Sequence, residues 1–208
     1  MKECLFIWVP KAAGTSIFES LYRNYGCMKR KDISSAKKFK NQGSISFGHI
    51  SVAHLLKNEF VSKDYFQRAY KFCFVRNPWD RAVSLHRYFH DRVSGYSFTF
   101  PAFLERLKEG ITPVGLYNNS GMSMCNPQTS WVLDADGNPL ADFVGRFEQL
   151  ERDWGKVCAQ LGKELPLGHA NRGKHDHYKT YYKDRAMRKL VREIYISDVE
   201  TFGYRYQD

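Results

Sequence analysis

Short apolar runs that lead into small or polar residues recur along the chain, and the first lies at its beginning. The apolar run Leu5–Val9 is followed by the small-residue segment Pro10–Ser16 and by a helix-forming segment that starts at Ile17. A short, uninterrupted apolar run is typical of a buried strand. The pattern therefore predicts a strand, a tight loop and a helix in immediate succession.

A second run of the same kind lies farther along the chain. Residues Tyr70–Val75 are apolar and aromatic apart from Lys71, which predicts another buried strand. Asn77 is a favourable N-cap and Pro78 suits the first helical position, so we expect a helix from there to about Arg92. A last helix is predicted over residues 184–201, with Gly203 as its C-terminal cap.

Strands that alternate with helices favour an α/β fold. We expect three layers around a mainly parallel sheet, with a P-loop-like strand, loop and helix at the N-terminus. The length of 208 residues and a hydrophobic fraction of 43% suit a single domain, 1–208. The turn-rich region around residues 93–140 carries no motif, and we interpret it as a variable region on the acceptor side.

The loop Pro10–Ser16 carries the first chemical signal. Backbone N–H groups at a helix N-terminus bind phosphate, Lys11 adds a positive charge, and Thr15 and Ser16 add hydroxyl donors. The loop is not a Walker A motif, because its lysine precedes its only glycine, Gly14. It predicts a site for a nucleotide-like polyanion; a tight turn without a ligand is the alternative.

The segment Phe6–Ser16 resembles the F-I-H-I-P-K-T-A-G-T-S loop of sulfotransferases, with Trp8 and Ala12 as departures from that pattern. The similarity is greatest to carbohydrate sulfotransferases, including enzymes like heparan sulfate 2-O-sulfotransferase. This resemblance implies a loop that binds the 5′-phosphosulfate end of 3′-phosphoadenosine 5′-phosphosulfate (PAPS). The residues concerned are Lys11, Ala12, Ala13, Gly14, Thr15 and Ser16.

The strand end at Arg76 resembles the 3′-phosphate site of the same family, which pairs a strand-end arginine with a serine on the following helix. Carried over, Arg76 and Ser84 bind the 3′-phosphate. The alternative for Arg76 is an ion pair with Asp80 at the helix start, and the alternative for Ser84 is an ordinary solvated position. Arginine at the carboxyl end of a strand lies where open α/β sheets bind ligands.

Three further segments resemble parts of the family. The Gly48-His49 pair follows an apolar strand, and the resemblance implies that His49 is the general base; a structural histidine is the alternative. His54 falls on the next helix, where we expect a peripheral role. Residues 142–150 resemble the family's strand-to-helix scaffold, and the loop 169–178 implies donor contacts from Arg172 and Gly173.

Together these segments imply a sulfotransferase that moves the sulfuryl group of PAPS to a hydroxyl of a carbohydrate acceptor and releases 3′-phosphoadenosine 5′-phosphate (PAP). Lys11 would neutralise the charge that grows on the leaving oxygen. No metal is expected, because His86 and His90 lack the glutamate of a zinc-binding H-E-x-x-H motif. A nucleotide kinase and a non-catalytic polyanion-binding module are the alternatives.

Charge and cysteine content agree with this interpretation. The 32 basic and 22 acidic residues give a net charge of +10, which attracts anionic partners such as a nucleotide donor or an acidic glycan. The basic residues are scattered and accompany no nucleic-acid-binding motif, so no nucleic acid partner is expected. Five cysteines without a C-x-x-C pair, no signal peptide and no membrane-length apolar run predict a cytoplasmic protein with free thiols.

Overall fold

The computed structural model describes residues 2–30, 32–111, 122–168 and 177–206. Within these ranges the strands are β1 Cys4–Ile7, β2 Met28–Lys29, β3 Ile45–Ser46, β4 Tyr70–Val75 and β5 Phe143–Arg146. The helices are α1 Gly14–Tyr25, α2 Ile33–Ala36, α3 Val52–Lys57, α4 Lys63–Arg68, α5 Pro78–Arg92, α6 Phe100–Lys108, α7 Thr129–Val132, α8 Leu150–Leu161, α9 Arg185–Ile194 and α10 Ile196–Phe202. Short 3-10 turns cover Phe147–Gln149 and Tyr178–Tyr181.

The five strands form one parallel sheet in the order β2-β3-β1-β4-β5. At its centre Phe6 of β1 lies opposite Phe72 of β4 on one side and Ser46 of β3 on the other. Parallel sheets are buried on both faces, which explains why β1 and β4 are built from uninterrupted runs of buried residues. The predicted α/β fold with a mainly parallel sheet is confirmed.

The connection that leaves β1 runs in the opposite direction to the connections that follow it. The chain passes from β1 to β2 toward one edge of the sheet, but from β3 to β4 and from β4 to β5 it passes toward the other edge. Crossover connections are right-handed. The helix after β1 therefore covers one face of the sheet, and the helices after β3 and β4 cover the other face. The carboxyl ends of β3, β1 and β4 therefore border a topological switch point, where open α/β sheets bind ligands.

Aromatic packing holds the face that α1 and α8 cover. Phe6 stacks on Phe72 with ring centroids 5.3 Å apart, and Trp154 of α8 contacts both Phe72 and Phe74 at 6.3 and 6.5 Å. The Tyr25 hydroxyl at the end of α1 donates to the Leu161 carbonyl at 3.1 Å. A second buried cluster joins α5, α6, α9 and α10.

Most predicted boundaries agree with the structure, and three differ, the first being the start of α1, which lies at Gly14 and not at Ile17. β4 and α5 have the expected limits, and the Asn77 side chain accepts a hydrogen bond from Trp79 N as an N-cap. β1 ends at Ile7, so Trp8 already belongs to the loop. The last predicted helix is two helices, because the chain leaves helical geometry at Tyr195, whose fully buried ring anchors the break. All five cysteines are buried free thiols.

Candidate functional site

The loop between β1 and α1 has an unusual backbone. Lys11 and Ala13 have φ angles of 67° and 61°, in the left-handed region that residues with a side chain seldom occupy. Such positions cost free energy and cluster at ligand sites. In the described part of the chain no side chain caps the N-terminus of α1, and its first turn contains no acidic residue. The first turn of α1 itself therefore carries no carboxylate that would offset the positive end of the helix dipole.

Gly14 begins α1 because no larger residue fits beside Trp8. A Cβ atom built at Gly14 would lie 1.9 Å from Trp8 Nε1 and 2.3 Å from Trp8 Cδ1. The indole is itself buried between Phe6 and Phe18, so it has little room to move. Gly14 thus couples the loop between β1 and α1 to the Trp8 ring.

The Lys11 ammonium lies 4.4 Å from the centroid of the Tyr88 ring on α5. Burial lowers the pKa of Lys11 to about 8, and the positive charges of Arg76, Arg92 and Arg81 add to this effect. Cations gathered this closely repel one another. An anion bound among them would relieve the repulsion, so the loop is electrostatically prepared for a negatively charged ligand.

Arg76 follows β4 directly and reaches the same loop. Its Nε and Nη2 atoms donate to the two carboxylate oxygens of Asp80 at 2.7 and 2.9 Å, and its Nη1 donates to the Lys11 carbonyl at 3.3 Å. The guanidinium also lies 4.1 Å from the centroid of the Phe147 ring. The ion pair that the sequence offers as an alternative is therefore present, and the structure joins Arg76 to Lys11 as well.

Ser84 is a buried residue of α5, with 8% of its surface exposed. It lies four residues after Asp80 and four before Tyr88, so these three residues occupy successive turns of one helix face. Asp80 contacts Arg76, and the Tyr88 ring contacts Lys11. The alternative of an ordinary solvated serine is wrong, because Ser84 is buried on the face that contacts both cations.

His49 follows β3, and Gly48 with a φ angle of 60° provides the turn before it. Its Nδ1 atom lies 3.1 Å from the Trp8 carbonyl oxygen. A carbonyl only accepts, so Nδ1 carries the proton in the neutral ring and Nε2 carries the lone pair. Burial lowers the pKa of His49 to about 4, with further lowering by the charges of Lys29, Lys11 and Arg81. The ring is therefore neutral at pH 7.

An aromatic wall extends from His49 toward the surface. We define it as the rings of Trp8, Phe18 and Tyr22 together with Lys29, whose ammonium packs against two of them. The Lys29 ammonium lies 3.7 Å from the Trp8 ring centroid and 5.0 Å from that of Phe18. Trp8 meets the His49 ring edge-on at 5.5 Å, and Phe18 stacks on Tyr22 at 5.9 Å. Tyr22 is 63% exposed. The i, i+4 spacing of Phe18 and Tyr22 was the signal in the sequence for this surface.

Sequence reasoning also missed Arg81, which is fully buried next to the loop between β1 and α1. Its Nε donates to the Pro10 carbonyl at 3.1 Å, and its Nη2 donates to the carbonyls of Met124 and Asn126 at 2.7 and 3.0 Å. These bonds tie the loop to the segment before α7. An arginine on the apolar side of a predicted helix was the signal that could have found it.

The structure does not bring the remaining candidate residues that it describes into this site. Arg172 and Gly173 fall outside the described residues. His54 is on α3, where its ring lies 6.0 Å from that of Phe60. His86 packs against Phe100 and Phe103, and its Nε2 lies 2.8 Å from the Phe98 carbonyl oxygen, so it is a core residue. Among the described residues, no three or more His, Cys, Asp or Glu side chains lie together in a group that could hold a metal ion.

A cavity of about 580 Å³ lies at the amino ends of β1, β4 and β5, on the side of the sheet away from the candidate site. It is partly cationic, but the ammonium of its buried Lys71 donates to the carbonyls of Phe66 and Ala69 and pairs with Asp142 at 3.0 Å. These bonds satisfy the three donors of the lysine. We therefore interpret the residues that line this cavity as structural and do not include them in the candidate site.

Comparison with known proteins identifies the class. Residues 2–205 match the sulfotransferase family, and the chain therefore belongs to that family. Retinol dehydratase, solved with androsterone and PAP, has a similar structure with a TM-score of 0.50 at 11% identity, covering 98% of this chain and 82% of that one. At this identity the likeness bears on the fold alone.

Two further solved structures and one protein sequence are also similar. Mouse sulfotransferase SULT7A1, solved with PAP, gives a TM-score of 0.47 at 18% identity and covers 100% of this chain and 67% of the mouse chain. A sulfotransferase of Alicyclobacillus acidocaldarius gives 0.48 at 16% identity, covering 99% and 98%. An uncharacterized protein of Archaeoglobus fulgidus is 26% identical over 121 residues, which is 53% of this chain and 81% of that protein.

Among the described residues, no helix is both long and apolar enough to cross a bilayer.

Proposed function

We propose that this chain transfers the sulfuryl group of PAPS to a hydroxyl group of an acceptor and releases PAP. The observation that carries the proposal is the hydrogen bond from Arg76 Nη1 to the Lys11 carbonyl, which joins two cationic strand ends at the switch point. A donor with phosphate groups at both its 3′ and 5′ positions needs two such sites close together. Membership of the sulfotransferase family supports this match, as do PAP complexes of proteins with a related fold.

The donor would lie across the carboxyl ends of β1 and β4. The loop residues Lys11 to Ser16 and the N-terminus of α1 would bind the 5′-phosphosulfate. Arg76 and Ser84 would bind the 3′-phosphate. Asp80 and the Lys11 carbonyl use three of the five N–H groups of the Arg76 guanidinium, so one on Nη1 and one on Nη2 can still donate to a phosphate.

The reaction would need one proton acceptor and one cation. The acceptor oxygen attacks sulfur as its proton passes to His49 Nε2, and the bond between sulfur and the bridging oxygen of the 5′-phosphate breaks. Lys11 then neutralises the charge on that oxygen. His49 is neutral at pH 7 and so able to take the proton; the phosphates of a bound donor would raise its low pKa toward the range of an effective base.

A carbohydrate is the acceptor class that the aromatic wall supports best. The wall adjoins His49 and ends at the exposed ring of Tyr22, against which the apolar face of a sugar ring would pack. The Lys29 ammonium adds a positive charge next to His49, which favours an acidic sugar. The heparan sulfate 2-O-sulfotransferase-like branch, implied by the loop and by Gly48-His49, fits such an acceptor.

The test is sulfur transfer itself. The protein is incubated with PAPS labelled in its sulfuryl group and with matched oligosaccharides that do or do not carry uronic acids. The proposal expects label in an oligosaccharide and release of PAP, with the acidic series preferred. PAP binding without transfer to any hydroxyl compound would favour a polyanion-binding module, and phosphate transfer from ATP would favour a kinase.

A further inference from the structure

The main chain of Arg76 is held by the side chain of a residue far away in the sequence. Gln128 Oε1 accepts a hydrogen bond from Arg76 N at 2.8 Å, and Gln128 Nε2 donates to the Arg76 carbonyl at 2.7 Å. The last ladder pair of the sheet at this point is Val75 with Arg146, so the amide of Gln128 takes the place of a neighbouring strand. Gln128 has no exposed surface.

Gln128 is in turn fixed by Asp198 of α10. Asp198 Oδ2 accepts from Gln128 N at 2.9 Å and from Gln128 Nε2 at 3.2 Å, while Oδ1 accepts from Thr129 N at 2.9 Å. Asp198 is also fully buried. A buried carboxylate is unfavourable unless donors surround it, so these bonds are strongly directional restraints.

The next residue of the strand end is held by the same C-terminal segment. Asn77 N donates to Glu148 Oε1 at 2.5 Å, and Glu148 Oε2 accepts from the Tyr204 hydroxyl at 3.1 Å. The Asn77 amide donates to the Arg205 carbonyl at 3.2 Å. The two consecutive peptide groups at the end of β4 are therefore fixed by side chains that trace back to residues 196–206.

We propose that Gln128, held by Asp198, is a positioning residue for Arg76, and that it makes the donor site selective for a nucleotide with a 3′-phosphate. The inference rests on the proposed function, because it takes Arg76 as the residue that binds this phosphate. The guanidinium must reach Asp80, the Lys11 carbonyl and the ligand at once. A small shift of its Cα atom would break that geometry, while the bond from Arg81 to the Pro10 carbonyl would still hold the loop proposed to bind the 5′ end.

The test compares two ligands that differ only at the 3′ position. PAP and AMP share the adenosine and the 5′-phosphate, and AMP affinity is measured by displacement of PAP. The substitution Gln128→Met keeps the side-chain length and removes both hydrogen bonds to Arg76 together with the side-chain bond to Asp198. We expect PAP affinity to fall about tenfold and AMP affinity to stay within about twofold, in line with loss of contacts to a charged group.

Matched variants keep the inference falsifiable. Gln160→Met removes an exposed side-chain amide of α8 near the amino ends of the strands and should leave both affinities unchanged. Tyr204→Phe removes only the hydroxyl that holds Glu148, so it tests the second restraint even if Gln128→Met does not fold; the ratio of PAP to AMP affinity should fall about threefold.

Three results would separate the possible errors. An equal loss for PAP and AMP in a folded Gln128 or Tyr204 variant would mean a general structural role and overturn the inference. Unchanged affinities for both nucleotides in these variants would overturn it too. No binding of PAP by the unmodified protein would overturn the proposed function itself, and the inference with it.

Discussion

The donor side and the acceptor side of the candidate site are built in different ways. At the donor side, Arg76 and the Lys11 loop are held mainly by hydrogen bonds to main-chain atoms, and the supporting side chains of Gln128, Asp198 and Arg81 are fully buried. At the acceptor side, His49 leads into an aromatic wall held by ring contacts, whose outer member Tyr22 is largely exposed.

This difference separates a fixed half of the site from an adaptable one. Hydrogen bonds to buried backbone set position and direction, as binding of one invariant nucleotide requires. Ring contacts tolerate changes of side chain and ligand, as recognition of a particular acceptor requires. Substitutions on the donor side should therefore change nucleotide affinity, and those on the acceptor side should change turnover or acceptor choice.

The largest expected effect separates turnover from donor binding. His49→Ala should reduce sulfur transfer by about 100- to 10,000-fold, since this is the usual contribution of a general base, and should leave PAP affinity within about twofold. Rates are measured with labelled PAPS, and affinity by calorimetry. His54→Ala, on the neighbouring helix, is the control and should retain activity. Unchanged transfer by the His49 variant would rule out its role as the base.

The next effect belongs to the donor side alone. Arg76→Ala should weaken PAP binding about 100-fold, because it would remove the proposed charged hydrogen bonds to the 3′-phosphate and leave Asp80 without its arginine partner. Calorimetric titration with PAP measures the change. Arg152→Ala also removes an arginine paired with an aspartate, but on the exposed side of α8, and should have no effect. Wild-type affinity in the Arg76 variant would contradict the assignment.

A pH series tests the electrostatics of the phosphate loop. The pKa of Lys11 is about 8 in the free protein, and a bound anion favours the charged ammonium. Below about pH 7 the lysine is protonated, so its charge should not make PAP affinity depend on pH. Between pH 8 and pH 9.5 the affinity should fall about tenfold as the lysine loses its proton. Calorimetry over this range measures the change.

Lys11→Arg is the matched variant for the pH series, because a guanidinium keeps its charge throughout. Its PAP affinity should not decline between pH 8 and pH 9.5. An identical decline in the variant and the unmodified protein would mean that another group is responsible.

The smallest effect probes the contact that couples the two sides. Gly14→Ala should lower the free energy of unfolding by about 1 to 3 kcal/mol, because the new methyl group meets the Trp8 ring. In a Trp8→Ala background the same change should cost almost nothing. Denaturant unfolding of the four proteins gives the coupling energy. Additive effects would show that the glycine is needed for another reason.

The parts of the fold that sequence reasoning predicted are those set by local patterns. The apolar runs of β1 and β4, the N-cap Asn77 and Pro78 at the start of α5 depend on neighbours in the chain, and each agrees with the structure. The division of the last helix at Tyr195 depends on tertiary packing around a buried ring. No pattern of neighbouring residues contains that information.

The candidate site divides in the same way. Lys11, Arg76 and Ser84 lie on strand ends and a helix whose positions follow from the parallel topology, so their proximity could be expected. Gln128 and Asp198 are ordinary polar residues in the sequence, and only the fold brings them to Arg76, across separations of 52 and 122 residues in the numbering. Lys29 faces Trp8 because β2 lies at the edge of the sheet, an order that the sequence does not reveal.

The central claim is that the two cationic strand ends form one site for a nucleotide bisphosphate. Calorimetric titration of PAP into the unmodified protein tests it most directly, with ATP and Mg²⁺ as the matched comparison. The account predicts metal-independent, micromolar binding of one PAP per chain and much weaker binding of ATP. Absence of PAP binding, or tight binding of ATP that depends on Mg²⁺, would contradict it.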